Sequence, residues 1–261
     1  MSKMQRRFIR LLWLGLALLM GGPTYAANVD ATLQWARRVE LSTPVSGVVA
    51  KVYVKGGDRV KANQPLVELD QRGFRAAVKG AEADVKRLGE SRDEAHRELE
   101  RSQQLYDRTL LSEHDLQLAK IANTTAEAKY EAARAVLTQA RLDLQYSVVR
   151  APFDALVLAR PAQLGQTVVT RLQSVPLVTV VESGRMLAHA QVDEAGLAKL
   201  QQGQDVTVES AGHRFEGKVV QLGMEPVAGG TGTPRYAVDV VFSYPVGTIL
   251  RAGQSATVSL P

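Results

Sequence analysis

The fold is decided by residues 71–145, which read QRGFRAAVKGAEADVKRLGESRDEAHRELERSQQLYDRTLLSEHDLQLAKIANTTAEAKYEAARAVLTQARLDLQ. No proline lies between Pro65 and Pro152, so no residue of that kind forces a helix to end here. Apolar or small residues recur at alternating steps of four and three, which is the heptad spacing of a coiled-coil seam. The pattern predicts a long antiparallel α-helical hairpin over residues 71–146 that turns near residues 109–112. The predicted seam consists of Phe74, Val78, Ala81, Val85, Leu88, Ala95 and Leu99, with a polar interruption at Arg92, and then of Leu116, Ala119, Asn123, Ala126, Tyr130, Ala133, Leu137, Ala140 and Leu144.

The positive charge of the chain is concentrated at its N-terminus. The formal net charge is +5, and residues 1–26 supply four of the 32 basic residues and no acidic residue. The rest of the chain contains 28 basic and 27 acidic residues, so it is close to neutral. Because nucleic acids are bound through a strong positive field, we expect no nucleic-acid partner.

Residues 1–26 have the pattern of a signal peptide. A basic region precedes the apolar run Leu11–Met20, and Gly21-Gly22-Pro23 and the small-residue site Thr24-Tyr25-Ala26 follow. The apolar run holds 10 residues, against about 20 for a comfortable membrane span. We therefore expect export to the periplasm with cleavage, and an uncleaved anchor is the alternative. The chain contains no cysteine, so its stability must come from packed cores.

The segments on either side of the predicted hairpin repeat each other. Pro44 and Pro152, Gly57 and Gly165, and Val60 and Val168 are all separated by 108 positions. Each copy alternates apolar and polar residues around a glycine turn, which is typical of strands. We interpret residues 41–70 and 147–182 as two halves of one β-sandwich, with the hairpin inserted between them.

Residues 28–40 and 183–261 form the rest of the predicted mature chain. Their short alternating segments, joined by glycine-rich links, predict a small antiparallel β-barrel. A single strand is expected over residues 33–41. Asp193 is expected to cap a short helix over residues 194–200, because its carboxylate can accept the free N–H groups of the first turn.

The ordered combination of half-motif, hairpin, half-motif and barrel resembles the membrane fusion protein (HlyD-like) family, the periplasmic adaptors of bacterial export pumps. The resemblance implies an α+β, mostly β fold in which the split sandwich is a lipoyl/biotinyl-like domain and the hairpin a coiled coil. It is carried by four segments: Pro44-Val45-Ser46-Gly47-Val48-Val49, Val54-Lys55-Gly56-Gly57-Asp58-Arg59-Val60, Arg150-Ala151-Pro152-Phe153-Asp154 and Leu250-Arg251-Ala252-Gly253-Gln254. The motif residues with an implied structural role are Pro44, Gly47, Gly57, Asp58, Pro152, Phe153 and Gly165.

The resemblance also implies a function. Such adaptors bridge an inner-membrane transporter to a TolC-like outer-membrane channel for export of small molecules, as a homo-oligomeric ring expected to be a hexamer. A resistance–nodulation–division (RND) transporter is the expected pump, and an ATP-driven (ABC) exporter is the alternative. The protein is then associated with the inner membrane through its transporter.

Three residues match the family's docking pattern at the hairpin tip. Arg101, Leu105 and Ser112 have the spacing R-x-x-x-L-x-x-x-x-x-x-S, which marks the end that meets a TolC-type channel. Arg101 and Leu105 lie four residues apart and so share a helix face. Ser112, with Asp115 three residues later, is expected to cap the second helix. The alternative is a tip that only needs a cap and tolerates a solvated arginine.

Two departures from the family and two rival classes bear on this interpretation. Ala155 stands where the family has glycine, and we expect only a local adjustment there. No further membrane-proximal domain is evident, so the barrel and the sandwich are expected to contact the pump. One rival is a lipoyl or biotinyl carrier, but Leu69-Asp70-Gln71-Arg72 offers no lysine for the modification. The other rival is a periplasmic coiled-coil scaffold that works with no transporter. The four histidines are scattered without ligand spacing, so we expect no enzyme activity, metal or cofactor.

Overall fold

The computed structural model describes residues 27–170, 175–227, 233–245 and 247–260. The predicted signal peptide, residues 1–26, lies outside this part of the chain. The described residues form two compact units, one over Arg38–Ser183 and the other from the residues up to Arg37 together with those from Gly184 onward. Most elements are strands and one sheet closes into a barrel, which confirms the mostly β class. In the described part of the chain, no helix is long and apolar enough to cross a membrane.

The elements follow one another along the chain in a strand-rich order. They are β1 Ala27–Trp35, β2 Arg38–Leu41, β3 Gly47–Val52, β4 Arg59–Val60, β5 Pro65–Leu69, α1 Arg72–Asp107, α2 Glu113–Tyr146, β6 Val148–Arg150, β7 Ala155–Ala159, β8 Thr167–Val168, β9 Val178–Glu182, β10 Arg185–Val192, α3 Glu194–Leu197, β11 Asp205–Ser210, β12 His213–Pro226, β13 Tyr236–Ser243 and β14 Ser255–Leu260.

The unit over residues 38–183 contains two four-stranded sheets with matching strand orders. One sheet has the order β2-β9-β7-β4 and the other β6-β5-β3-β8. The sequence repeat relates each strand of one sheet to the strand at the same place in the other. Their apolar faces share one core, in which Leu66, Leu69 and Leu177 are fully buried. Neither half has a core of its own, so the halves fold as one body.

Equivalent hydrogen bonds tie the two halves together. The N–H of Gly57 donates to the carbonyl of Val157 at 2.8 Å, and the N–H of Gly165 donates to that of Val49 at 2.9 Å. Both glycines have positive φ angles, +91° and +79°, which glycine adopts without a steric penalty. The motif residue Asp58 closes its turn by accepting the N–H of Lys55 at 2.9 Å.

A second pair of equivalent bonds involves side chains. Asp154 accepts the backbone N–H of Ala62 and the ammonium group of Lys61, each at 2.9 Å. Its counterpart Ser46 accepts the backbone N–H of Thr170 at 3.2 Å. The bond from Lys61 and the backbone bond from Ala62 lower the pKa of the Asp154 carboxyl. These bonds run between the two copies of the repeat and hold them in register.

The replacement of glycine by Ala155 in the second half leaves the strand intact. A Cβ atom on Gly47 would lie 3.1 Å from Cδ1 of Leu69, so the first half has no space for a methyl group without movement. Ala155 is fully buried at the start of β7. Val180 pairs with Val157 as Leu69 pairs with Val49 in the first half, so a smaller side chain stands where Leu69 crowds Gly47.

In the other unit, six strands close a barrel in the order β1-β10-β13-β12-β11-β14. Its interior is filled by alternating apolar residues, including Leu33, Met186 and Phe242. Asp193 caps the short helix α3 by accepting the N–H of Gly196 at 2.8 Å, as predicted, although the helix ends at Leu197.

The prediction of one strand over residues 33–41, with residues 28–40 in the barrel, was wrong. β1 ends at Trp35, and β2 pairs instead with β9 in the sandwich, with Arg38 opposite Val181. The reason is packing, because Leu33 lies in the barrel core whereas Val39 and Leu41 pack against the sandwich core. The boundary between the units therefore lies at residues 37–38.

Candidate functional site

The candidate site is the far end of the helix pair that lies between β5 and β6. Helices α1 and α2 contain 36 and 34 residues. Each therefore extends for about 50 Å at a rise of about 1.5 Å per residue. Arg141 on α2 binds Glu82 on α1 at 2.9 Å, and the guanidinium of Arg92 lies over the ring of Tyr130, so the helices run antiparallel.

The base of the helix pair is anchored in the sandwich. Phe74, in the first turn of α1, packs against the sandwich core. The amide of Gln71 donates to the hydroxyl of the buried Ser147 at 3.0 Å, and Thr43 donates to the carbonyl of Tyr146 at 2.7 Å. The two ends of the helix pair are thereby joined to each other and to the sandwich.

All predicted seam positions are buried or partly buried, on helices whose other positions are mostly exposed. Ala81, Leu116, Ala133 and Ala140 are buried, and the remaining predicted positions are partly buried. Ser102, three residues after Leu99, is also buried and continues the seam.

Arg92, which interrupts the apolar pattern in the sequence, lies within the seam. Its guanidinium carbon is 4.2 Å from the centroid of the Tyr130 ring, and it also binds Asp93 at 2.7 Å. A Cβ atom on Gly89 would lie 3.3 Å from the Tyr130 ring, so the glycine makes room for this stack. Arg92 lies four residues after Leu88 and three before Ala95, and this heptad spacing indicated in the sequence that it occupies a seam position.

The chain leaves α1 through a tight turn with a left-handed residue. Thr109 has φ +61°, and the N–H of Thr109 donates to the carbonyl of Tyr106 at 2.8 Å. The N–H of Leu110 donates to the carbonyl of Leu105 at 2.9 Å. This is the Schellman pattern that ends many helices, in which the left-handed residue is usually glycine. The predicted position of the turn, near residues 109–112, is confirmed, but the threonine gave no signal that its residue is left-handed.

Ser112 begins α2 as predicted. Its hydroxyl oxygen accepts the N–H of Asp115 at 3.1 Å, and the hydroxyl donates to the carboxylate of Asp115 at 2.6 Å. Glu113 and Asp115 also place negative charge in the first turn, where it stabilises the helix dipole.

The three predicted docking residues have different surroundings. Arg101 is 63% exposed and binds Glu98 at 2.5 Å, one turn earlier on α1. Leu105 is partly buried, and its backbone carbonyl closes the turn. The hydroxyl of Ser112 is occupied by the helix cap. All three lie in the last two turns of α1 or the first residue before α2.

Other chemistry-bearing side chains do not assemble into a site. In the described ranges, no group of three or more His, Cys, Asp or Glu residues could hold a metal ion. His189 binds Asp239 at 2.6 Å across two barrel strands, a half-buried pair that the sequence did not indicate.

Comparison with known proteins assigns the fold to a family. The family described as "CzcB-like, barrel-sandwich hybrid domain" matches residues 37–182, which is more than half of the 261 residues. The chain therefore belongs to the membrane fusion proteins that contain this domain. This is a family of adaptor proteins, which are not enzymes.

Individual relatives agree with this assignment. The macrolide export protein MacA of Yersinia pestis is 32% identical over 209 residues, which cover 73% of this chain and 56% of the relative. The nodulation protein NolF of Rhizobium meliloti is 32% identical over 206 residues, covering 77% of this chain and 55% of the relative. The chain thus spans about half the length of these relatives.

A solved structure with the same fold is the membrane fusion protein Spr0693 from Streptococcus pneumoniae. It superposes with a TM-score of 0.68 over 90% of this chain and 99% of that chain. The sequences are 19% identical, so this similarity establishes the fold alone.

Proposed function

We propose that this chain is a periplasmic adaptor subunit of a tripartite efflux system. It bridges an inner-membrane transporter to a TolC-like outer-membrane channel for the export of small molecules. The observation that carries the proposal is the helix pair. An arm of about 50 Å that is anchored at its base and ends in a tightly capped turn is suited to reaching another protein.

Docking to the channel is assigned to Arg101, Leu105 and Ser112. Arg101 has the exposure and the planar guanidinium fork needed to bind carboxylates or backbone carbonyls of a partner. Its bond to Glu98 is solvent-exposed and therefore weak, so it can be exchanged for a partner on contact. Leu105 and Ser112 contribute by shaping the turn, through the carbonyl of Leu105 and the cap formed by Ser112.

The transporter at the other end of the system is either an RND pump or an ABC exporter. The name of the Yersinia pestis relative, a macrolide export protein, supports export of small organic molecules. Contact with the pump is assigned to the barrel and the sandwich. The lipoyl/biotinyl-like domain serves here as the base of a coiled-coil arm and carries no cofactor.

We further propose that copies of the chain associate side by side in a ring, expected to be a hexamer. The outer face of α2 supports this, because it exposes the apolar side chains of Leu118, Ile121 and Val136 away from the seam. The alanines Ala128, Ala132 and Ala135 on the outer surface of the same helix permit close approach of a neighbour. Residues 1–26 direct the chain to the periplasm, where it is held at the inner membrane through its transporter.

The docking assignment is tested with Arg101→Asp in the native host, in a strain that lacks the wild-type gene. The change reverses the charge at the tip, and we expect export to fall to the level of the deletion strain. Export is measured as tolerance to the compounds to which the deletion sensitises the cell. Periplasmic level and protease resistance of the variant check folding.

Arg87→Asp is a matched control. Arg87 is 66% exposed and binds Asp84 at 3.0 Å with the same spacing, but it lies far below the tip on α1. We expect this variant to export normally. Normal export by Arg101→Asp would remove the docking assignment, and loss of export in both variants would show a general effect of charge on the arm.

A further inference from the structure

The tip exposes an apolar side chain that lies outside the three-residue docking pattern. Leu110 is 70% exposed, more than any other large apolar residue of α1, α2 and their connecting turn. Tyr106, four residues earlier, is 38% exposed. Leu105, the leucine of the docking pattern, is by contrast partly buried. The apolar surface available to a partner at the tip therefore comes mainly from Leu110.

Leu110 stays exposed although it follows a turn that usually buries the residue at its position. In a Schellman turn the residue at the position of Leu110 usually packs back against the helix, near the residue that accepts its N–H. Here that acceptor is Leu105, yet Leu110 remains exposed. The preceding Thr109 is held at φ +61°, a conformation that β-branched residues rarely adopt. Such outliers cluster at functional sites, where the surrounding structure maintains them.

The charge around the tip is acidic. Residues 91–127, the distal half of the helix pair, contain eight acidic and five basic residues. The proximal segments, residues 71–90 and 128–146, contain five acidic and eight basic residues. Beside Leu110, the carboxylates of Asp107, Glu113 and Asp115 form no salt bridge with a lysine or arginine among the described residues. The segment 107–115, which contains Leu110, thus carries three carboxylates against one lysine or arginine, Arg108.

We propose that Leu110 is the apolar anchor of the docking surface and that Asp107, Glu113 and Asp115 form its acidic rim. An apolar centre inside a polar rim is the arrangement of binding hot spots. The partner that fits this surface is the periplasmic end of an outer-membrane channel that offers an apolar pocket bordered by basic groups. This inference rests on the proposed adaptor function and names the chemistry of its channel contact.

The first test places a photo-crosslinking amino acid at position 110 of the full chain in the native host. The control places it at Leu164, which is 73% exposed in a turn of the sandwich. We expect position 110 to give an adduct that mass spectrometry identifies as an outer-membrane channel, and position 164 to give none with that channel. An adduct of position 110 with a second copy of this chain, or the absence of a channel adduct, would overturn the proposal.

The second test measures affinity of the purified full chain for the channel identified in that way. Leu110→Asp should weaken binding by about tenfold or more, as expected for a hot-spot residue, whereas Leu110→Met should stay within about threefold of wild type. Leu164→Asp is the control for a new surface charge.

The salt dependence of binding tests the acidic rim. Wild-type binding should weaken as salt is raised. If salt does not change the affinity, the acidic residues do not contribute to binding. If Leu110→Asp binds as tightly as wild type, Leu110 is not the anchor.

Export separates this inference from the adaptor function. If Arg101→Asp abolishes export and Leu110→Asp does not, the adaptor function stands and Leu110 is not the anchor. If both variants export normally, the tip is not a docking site, and the assignment of Arg101 fails together with the anchor.

Discussion

The sandwich and the hairpin tip adopt the same left-handed backbone conformation with different residues. Gly57 and Gly165 close the two sandwich turns at φ +91° and +79°, whereas Thr109 occupies the tip turn at φ +61°. Glycine adopts this conformation without strain, and a β-branched residue does so at a cost. These two sandwich turns therefore use the residue that favours stability, and the tip does not. The tip turn therefore carries a backbone strain that the two glycine turns avoid.

The largest effect is expected from making the sandwich turns resemble the tip. A Cβ atom on Gly57 or Gly165 would meet nothing within 4 Å, so substitution there tests the backbone conformation alone. We expect Gly57→Thr and Gly165→Thr each to lower the free energy of unfolding by about 1–2 kcal/mol. Urea unfolding of the mature chain measures the change.

Gly56→Thr is the matched control for these variants. Gly56 is the neighbour of Gly57 but lacks the positive φ angle, and a Cβ atom there would make only ordinary contact with the carbonyl of Leu158 at 3.5 Å. We expect a much smaller effect. A loss in Gly56→Thr equal to that in Gly57→Thr would show that bulk, and not the left-handed backbone, sets the cost.

The converse change makes the tip resemble the sandwich. Thr109→Gly should raise the stability of the hairpin, because the strain is relieved. The net gain should stay at or below about 1 kcal/mol, since glycine loses more backbone entropy on folding. Hydrogen exchange of the amides of Thr109 and Leu110, which donate to Tyr106 and Leu105, reports the local change. Faster exchange of these amides in the variant would contradict the strain.

The regular parts of the fold could be predicted from the sequence because they repeat. The heptad spacing identified the seam from Phe74 to Leu144, and the offset of 108 identified paired turns at Gly57 and Gly165. The switch of β2 out of the barrel could not be seen. Leu33, Trp35, Val39 and Leu41 keep the same alternation, and alternation does not tell which of two cores a side chain enters.

The candidate site was only partly predictable. The cap by Ser112 follows from residue type and spacing, because a serine before an acidic first turn is a helix-start signal. The turn was predicted near residues 109–112, but the exposure of Leu110 and the left-handed conformation of Thr109 could not be inferred, since leucine is common in seams and threonine is rare in left-handed turns. The stack of Arg92 on Tyr130 depends on which residues face each other across the helix pair, which the turn determines.

The smallest effect concerns Asp154 and Ser46, the equivalent side chains that join the two sandwich halves. Only Asp154 can titrate. Asp154 and Ser46 accept equivalent backbone N–H groups, but only the pKa of Asp154 is lowered, by its bonds to Lys61 and Ala62. A carboxyl whose folded pKa lies below its ordinary value of 3.8 stabilises the fold above that pH and ceases to do so as pH falls through the folded pKa. Asp154→Asn should therefore be less stable than wild type at neutral pH, and its stability should approach that of wild type in acid below the ordinary pKa. The loss of stability in Ser46→Ala should be independent of pH. Urea unfolding at neutral pH and in acid measures both differences. A loss of stability in Asp154→Asn that does not change with pH would mean that the bond to Ala62, which asparagine can keep only in part, contributes more to stability than the charge. The two halves would then be equivalent in their chemistry as well as in their backbone.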